Sequence, residues 1–138
     1  MIIKEKDKTN TIHAPKDIFN LIKSVMDLED TKTQEHVWII GLNARNMVEY
    51  VELVGMGDLS SAIVSVRNVY KTALTRAVKG IVIVHNHPSG DVTPSKEDIT
   101  IANKLKKAGE ILDILFMDSV IVTDTEFSSI KACGGLNK

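Results

Sequence analysis

One cysteine, Cys133, is all that the 138 residues carry. Intramolecular disulfides are thereby excluded, and so is any cysteine-rich zinc site. Cys133 lies in Ala132-Cys133-Gly134-Gly135 near the C-terminus and reads as a passive thiol, because reactivity needs a depressed pKa and a nearby base. No basic run is present. Net charge is −1, and the densest lysine cluster (Lys104, Lys106, Lys107) falls on the edge of an expected helix, so charge gives nucleic-acid binding no support. No apolar stretch reaches membrane-spanning length. Met1-Ile2-Ile3-Lys4-Glu5-Lys6 turns polar too soon for a secretory signal, which makes a cytoplasmic location the expectation. Gly55-Met56-Gly57 is no dinucleotide fingerprint, since Ser60 stands where the third glycine would be. No internal repeat or interdomain linker is visible.

What is present is a core. Apolar residues make up 43% of the chain, enough for one globular domain over residues 1–138, with residues 1–12 expected as a flexible polar arm. Pro15 in the first turn and Ile18, Leu21, Ile22 and Val25 at helical spacing predict a helix to about Leu28, followed by a loop at Glu29–Lys32. Val37–Leu42 reads as a strand, Asn43–Asn46 as a turn and Met47–Val54 as its hairpin partner, broken by Gly55-Met56-Gly57-Asp58. A short strand is expected at Ala62–Ser65. A helix follows over Val66–Lys79 with Gly80 as its C-terminal cap, its apolar face being Val66, Val69, Tyr70, Ala73, Leu74 and Ala77. Ile81–Val84 is apolar throughout, as in a strand covered on both sides. A further helix is expected over residues 95–109, then strands at Ile111–Met117 and Ser119–Thr123. The alternation predicts an α/β domain with a central sheet flanked by helices.

The segment from His85 to Asp98 follows the apolar strand directly and concentrates histidines, serines and acids. Residues two apart on a strand share a face, so His85 and His87 aim at one point. Pro88 and Gly90 turn the chain, and Pro94 and Ser95 start the helix that returns. Asp98 falls on that helix's apolar face, where a lone inward carboxylate is costly and a divalent cation removes the cost. Two imidazoles and a carboxylate make a three-ligand zinc (Zn2+) site with an open fourth position, the arrangement of a catalytic rather than a structural zinc. Ser95-x-x-Asp98 is equally a helix capping box, and Thr93-Pro94 another cap. His13 reads as an exposed histidine. His36 reads as structural rather than cleft-lining.

His85-x-His87, seven residues, then Ser95-x-x-Asp98 matches the JAMM motif of JAB/MPN metalloproteases. The fuller string His85-Asn86-His87-Pro88-Ser89-Gly90 with Pro94-Ser95 resembles the RadC branch of that superfamily. Weaker likeness runs from about Gln34 to Ser128, in Gln34-Glu35-His36-Val37-Trp38, Val66-Arg67-Asn68-Val69-Tyr70 and Asp118-Ser119-Val120-Ile121-Val122. Val66 stands where the branch usually has proline, and Ser119 where it normally has histidine. The resemblance implies a three-layer α-β-α sandwich with a mixed sheet, like that of cytidine deaminases. It implies zinc on His85, His87 and Asp98. It also implies an upstream glutamate that deprotonates a water, matched here by Glu35, with Glu49 and Glu52 as rivals. Ser95 would donate to the developing oxyanion. The helix-hairpin-helix region of full-length RadC proteins has no counterpart in these residues.

The function expected is therefore hydrolysis of an amide or peptide bond in a protein or peptide substrate. The runner-up is a non-catalytic RadC-type binding module with a structural or vestigial metal, associated with DNA repair. A nucleobase deaminase would need His-x-Glu and Pro-Cys-x-x-Cys, which a single cysteine cannot supply. Substrate-binding loops are expected near Gly55–Ser61 and Ser89–Thr93. The oligomeric state, homo-oligomers included, is left open.

Overall fold

The computed structural model describes residues 1–5, 7–26, 33–57 and 64–138. In chain order the elements are β1 (Ile2–Lys4), β2 (Asp7–Thr11), α1 (Pro15–Val25), β3 (Glu35–Leu42), β4 (Met47–Gly57), α2 (Val66–Arg76), β5 (Gly80–Asn86), α3 (Lys96–Leu112), β6 (Leu115–Val122) and β7 (Phe127–Ser129). The strands form one sheet in the order β1-β4-β3-β5-β6-β7, with β2 also paired to β4. β5 and β6 run parallel and the other neighbours antiparallel, so the sheet is mixed. Among the described residues no helix is long and apolar enough to cross a membrane.

Alternation along the central strands sorts the core into two halves. Trp38, Ile40, Val82, Val84, Val120 and Val122 face Ile18, Leu21 and Ile22 of α1. Val37, Ile39, Ile81 and Ile83 face the opposite way, against Val69, Tyr70 and Ala73 of α2 and Ala102 and Leu105 of α3. The result is the expected three-layer α-β-α sandwich. β5 is apolar on both faces because both are covered.

Local chemistry sets the element ends. Asp17 accepts the N–H groups of His13 and Ala14 at 2.8 and 3.0 Å, closing the start of α1, which begins at Pro15. Asn43 Oδ1 accepts from the Arg45 and Met47 amides at 2.9 and 3.1 Å, fixing the β3–β4 turn.

Several expected boundaries move. The flexible arm expected over residues 1–12 is replaced by β1 and β2 on the edge of β4, β1 with Ile2 and Ile3 packed against the core and β2 joined through its backbone despite its polarity. The glycines expected to break β4 do not, and the strand runs on through Gly57. α2 ends at Arg76, capped by Ala77 in the left-handed region at φ 53°, and Gly80 opens β5 instead. Leu74 and Ala77, expected on the buried face of α2, are exposed. α3 continues past Gly109 to Leu112, with Asp113 as its left-handed cap. Ile111 and Leu112 are thus helical, and one strand, β6, replaces the two expected there. α1 ends at Val25, with Met26 already extended, short of the expected Leu28; the loop at Glu29–Lys32, the turn residue Asp58 and residues 62–63 of the Ala62–Ser65 strand lie outside the described residues. Val64 and Ser65 are not in a strand.

Gly109 is a contact point rather than a stop. A Cβ there would sit 2.5 Å from the Ile114 carbonyl oxygen and 2.6 Å from Tyr70 Oη. Tyr70 is buried and donates to the Leu105 carbonyl at 2.6 Å, tying α2 to α3. Gly109→Ala should therefore destabilise the fold by about 1–3 kcal/mol through overpacking, although alanine is intrinsically favoured over glycine in a helix by about 1 kcal/mol. Urea unfolding checks this. A midpoint at or above that of the wild type would refute the close-packing account.

Candidate metal centre

The ladder between β3 and β5 ends at Val37 opposite His85. His85 therefore lies on the face of Val37, toward α3. One residue past the strand, His87 stays bound to the sheet through its amide, which donates to the Val122 carbonyl of β6 at 3.1 Å. The chain then turns. The Gly90 amide donates to the His87 carbonyl at 3.0 Å, and Gly90 takes φ 86°, a conformation that disfavours other side chains. Ser128 Oγ donates to the Val92 carbonyl at 2.5 Å and ties the returning loop to β7.

Ser95 caps α3. Its Oγ accepts the Asp98 amide at 3.0 Å, while Asp98 Oδ2 accepts the Ser95 amide at 2.9 Å. This capping box does not occupy Asp98 fully. Its Oδ1 lies 3.7 Å from His85 Nε2, and its Oδ2 lies 3.3 Å from His87 Nε2. One ligand atom from each of His85, His87 and Asp98 falls within 4.8 Å of the others, a group that could hold a metal ion. Ligands on a tetrahedral ion with bonds of about 2.0–2.1 Å stand roughly 3.3 Å apart; the Asp98 Oδ2–His87 Nε2 separation matches this, while the 3.7 Å to His85 runs to the other carboxylate oxygen.

Protonation separates the two histidines. Burial drives His85 down to about 4, against the pull of Asp98 and with a further push from His87, so its imidazole is neutral near pH 7. His87 is raised, first by its hydrogen bond with Asp98, and also by the Asp91 carbonyl and the Asp98 and Glu35 charges. Burial lifts the Asp98 carboxyl, but hydrogen bonds from His87 and Ser95 and the nearby His85 outweigh it and bring it to about 2. His87 Nδ1 lies 2.7 Å from the Asp91 carbonyl oxygen. A carbonyl can only accept, so Nδ1 carries a proton, and in the neutral ring Nε2 is left bare toward Asp98.

The cluster opens into a cavity of about 530 Å³ lined by Glu35, the three clustered residues, Ser95 and Ser119, with Val37, Ile83 and Ile101 among its apolar walls. Ser89, from the second expected substrate loop, also lines it. Of the first, Gly55–Gly57 belong to β4, and residues 58–61 lie outside the described part. Glu35, the first residue of β3, shares the cavity with the histidines. Glu49 instead accepts from Asn43 Nδ2 at 3.1 Å, and Glu52 from Thr72 Oγ1 at 2.9 Å; neither lines the cavity. His36 points to the other side of the sheet and stacks on Trp38, with ring centroids 5.4 Å apart. Sequence reasoning missed two contributors. The Asp91 carbonyl carries no signal, since any residue offers one. Asn86 is buried, yet in the sequence it reads only as the spacer between two histidines.

A family model for the RadC-like JAB domain matches residues 12–135. Among similar proteins, one from Staphylococcus epidermidis named UPF0758 protein is 43% identical over 133 residues, covering 96% of this chain and 57% of its own length. UPF0758 protein TTE0897 of Caldanaerobacter subterraneus is 35% identical over 134 residues, covering 97% of this chain and 56% of its own length. A UPF0758 protein of Clostridium botulinum (strain Langeland) is 40% identical over 125 residues, covering 89% and 53%. This chain thus spans little more than half the length of these relatives. The matched span contains the strand end, the turn and the helix start that build the cluster, and the chain belongs to the RadC-like JAB domain family.

Proposed function

We propose that the chain is a zinc-dependent hydrolase of amide or peptide bonds, acting in the cytoplasm on a protein or peptide substrate. The observation that carries this reading is the convergence of His85, His87 and Asp98 on one point in a cavity that also holds Glu35. Zinc suits a set of two imidazoles and one carboxylate, and when bound it would polarise a carbonyl and bring a water's pKa to about 7. The chain's own residues do the rest. Glu35 takes a proton from the attacking water as the new C–O bond forms. It returns that proton to the amine nitrogen as the C–N bond breaks. Ser95 Oγ accepts the Asp98 amide, but its own hydrogen remains to donate to the substrate oxyanion. Cap and oxyanion donor are compatible roles. Val37, Ile83 and Ile101 give the cavity apolar walls that suit an uncharged side chain of the substrate.

Purified wild-type protein should bind one zinc per chain, and Asp98→Ala should weaken binding by more than the roughly 10–100-fold typical of losing an outer-sphere partner. Metal analysis and competition with a chromogenic chelator give the numbers. A wild type without zinc under zinc-replete conditions would sink the proposal. Glu35→Gln should keep zinc and fold while hydrolysis of a quenched peptide library falls about 10²–10⁴-fold. Turnover at the wild-type rate would remove Glu35 from the mechanism.

Zinc binding should also release protons in a defined number. At about pH 6, His85 is neutral and Asp98 ionised, while His87, raised above its ordinary 6.5, is largely protonated. One proton, from His87, should leave per zinc bound. Affinity should rise with pH through the His87 titration, with no step from His85 above about pH 6 and any further rise coming from ionisation of the water itself. Calorimetry in buffers of differing ionisation enthalpy measures this, and release of two protons would contradict the neutral His85.

A further inference from the structure

We propose that Asn86 is a positioning residue for Glu35, its buried carboxamide gripping the peptide groups on both sides of that glutamate; this rests on the hydrolase reading above. Asn86 is 1% exposed. Its Oδ1 accepts the His36 amide at 2.5 Å, and its Nδ2 donates to the Gln34 carbonyl at 2.9 Å. The Gln34 carbonyl belongs to the peptide that enters Glu35, and the His36 amide to the peptide that leaves it. Fixing both peptide planes fixes the two backbone torsions of Glu35 and so the direction of its side chain.

The clamp sits on the β5 edge of β3; on the other edge Glu35 and His36 pair with Gly57 and Met56 of β4. Main-chain pairing of β3 with β5 stops at Val37 opposite His85, two residues short of Glu35. Asn86 spans the remaining step with a side chain. Alternation along the strand puts it on the face opposite His85, so its amide never competes for the cluster. The residue type follows from the partners. One planar group must accept from an N–H and donate to a carbonyl, and the neighbours admit only one orientation of the carboxamide. Aspartate keeps the acceptor and loses the donor. Alanine loses both and leaves the His36 amide without this partner, while the Gln34 carbonyl keeps its contact with His36 Nδ1 at 3.0 Å. His85-Asn86-His87 thus offers metal-binding groups on one face and a clamp for the proposed base on the other.

Asn86→Ala, Asn86→Asp and Glu35→Gln, made in the full chain and loaded with zinc, test the proposal. In Asn86→Ala the His36 amide should exchange with solvent at least about tenfold faster, the loss of one hydrogen bond of roughly 1.4 kcal/mol, while the Ile39 and Ile83 amides exchange as in the wild type. Zinc affinity should stay within about threefold of the wild type, because no ligand is changed. A crystal structure should show the Glu35 carboxylate displaced by about 1 Å or more, enough to cost about 100-fold in kcat with KM unchanged on a quenched peptide library. Asn86→Asp should recover part of the His36 protection and part of kcat. A Glu35 that superposes on the wild type in Asn86→Ala, or unchanged His36 exchange, overturns the positioning role whether or not any substrate is turned over. A displaced Glu35 with wild-type kcat also overturns it, leaving Asn86 a fold residue only. A zinc-loaded wild type that cleaves no peptide defeats the hydrolase reading instead, and the exchange rate and the Glu35 displacement still decide whether Asn86 places the glutamate.

Discussion

β5 has to be apolar on both faces up to its last residues and polar immediately afterwards. Its middle is sealed between α1 on one side and α2 with α3 on the other, so Ile81, Val82, Ile83 and Val84 have no polar alternative. His85 still packs against the α3 face, while His87 is held to β6 only by its amide. That abrupt change is what opens a cavity at the end of the sheet. The strand supplies rigid placement, and its end supplies ligand atoms that face no main-chain competitor. A cluster carried on mobile loops would have neither advantage.

The helix that closes the cavity is held by the group that it presents. Asp98 accepts the Ser95 amide and faces both imidazoles with the same carboxylate. The first turn of a helix favours a negative charge, so the ionised state is supported before any cation arrives. Without a metal, a proton on His87 answers part of that charge. The proton and the metal therefore compete for one nitrogen, and burial keeps His85 out of the competition.

Much of this was legible in the residues, and what was not has particular causes. The apolar run at 81–84 and the His-x-His that follows place both histidines on one face from period alone. The hairpin of β3 and β4 and the starts of α1 and α3 follow from turn and cap chemistry. The end of α3 falls later than expected because glycine is a helix stop in sequence terms, whereas Gly109 is required by the close approach of the Ile114 carbonyl and the Tyr70 hydroxyl. Asp113 takes the left-handed cap that a glycine would ordinarily supply, and nothing in one sequence marks it. β2 escaped notice because an edge strand joins the sheet through its backbone, which polar side chains do not announce, and β1 because three residues are too few for an alternation to show. Ser95 could be read two ways, and its geometry shows the cap while leaving the hydroxyl hydrogen free.

Asn86 shows most clearly where reading by residue type runs out. Its neighbours announce themselves by chemistry, since imidazoles at strand spacing have few other uses. An asparagine between them fits a turn, a cap or a spacer equally well. Its partners are the Gln34 carbonyl and the His36 amide, groups that every non-proline residue possesses, so no pairing of residue types could reveal it. Only the antiparallel register of β3 and β5 brings position 86 beside positions 34 to 36. The same register puts Glu35 in the cavity with the histidines. The glutamate that the resemblance picks out and the clamp that flanks it are thus two consequences of one strand pairing, and only the clamp had no mark in the sequence.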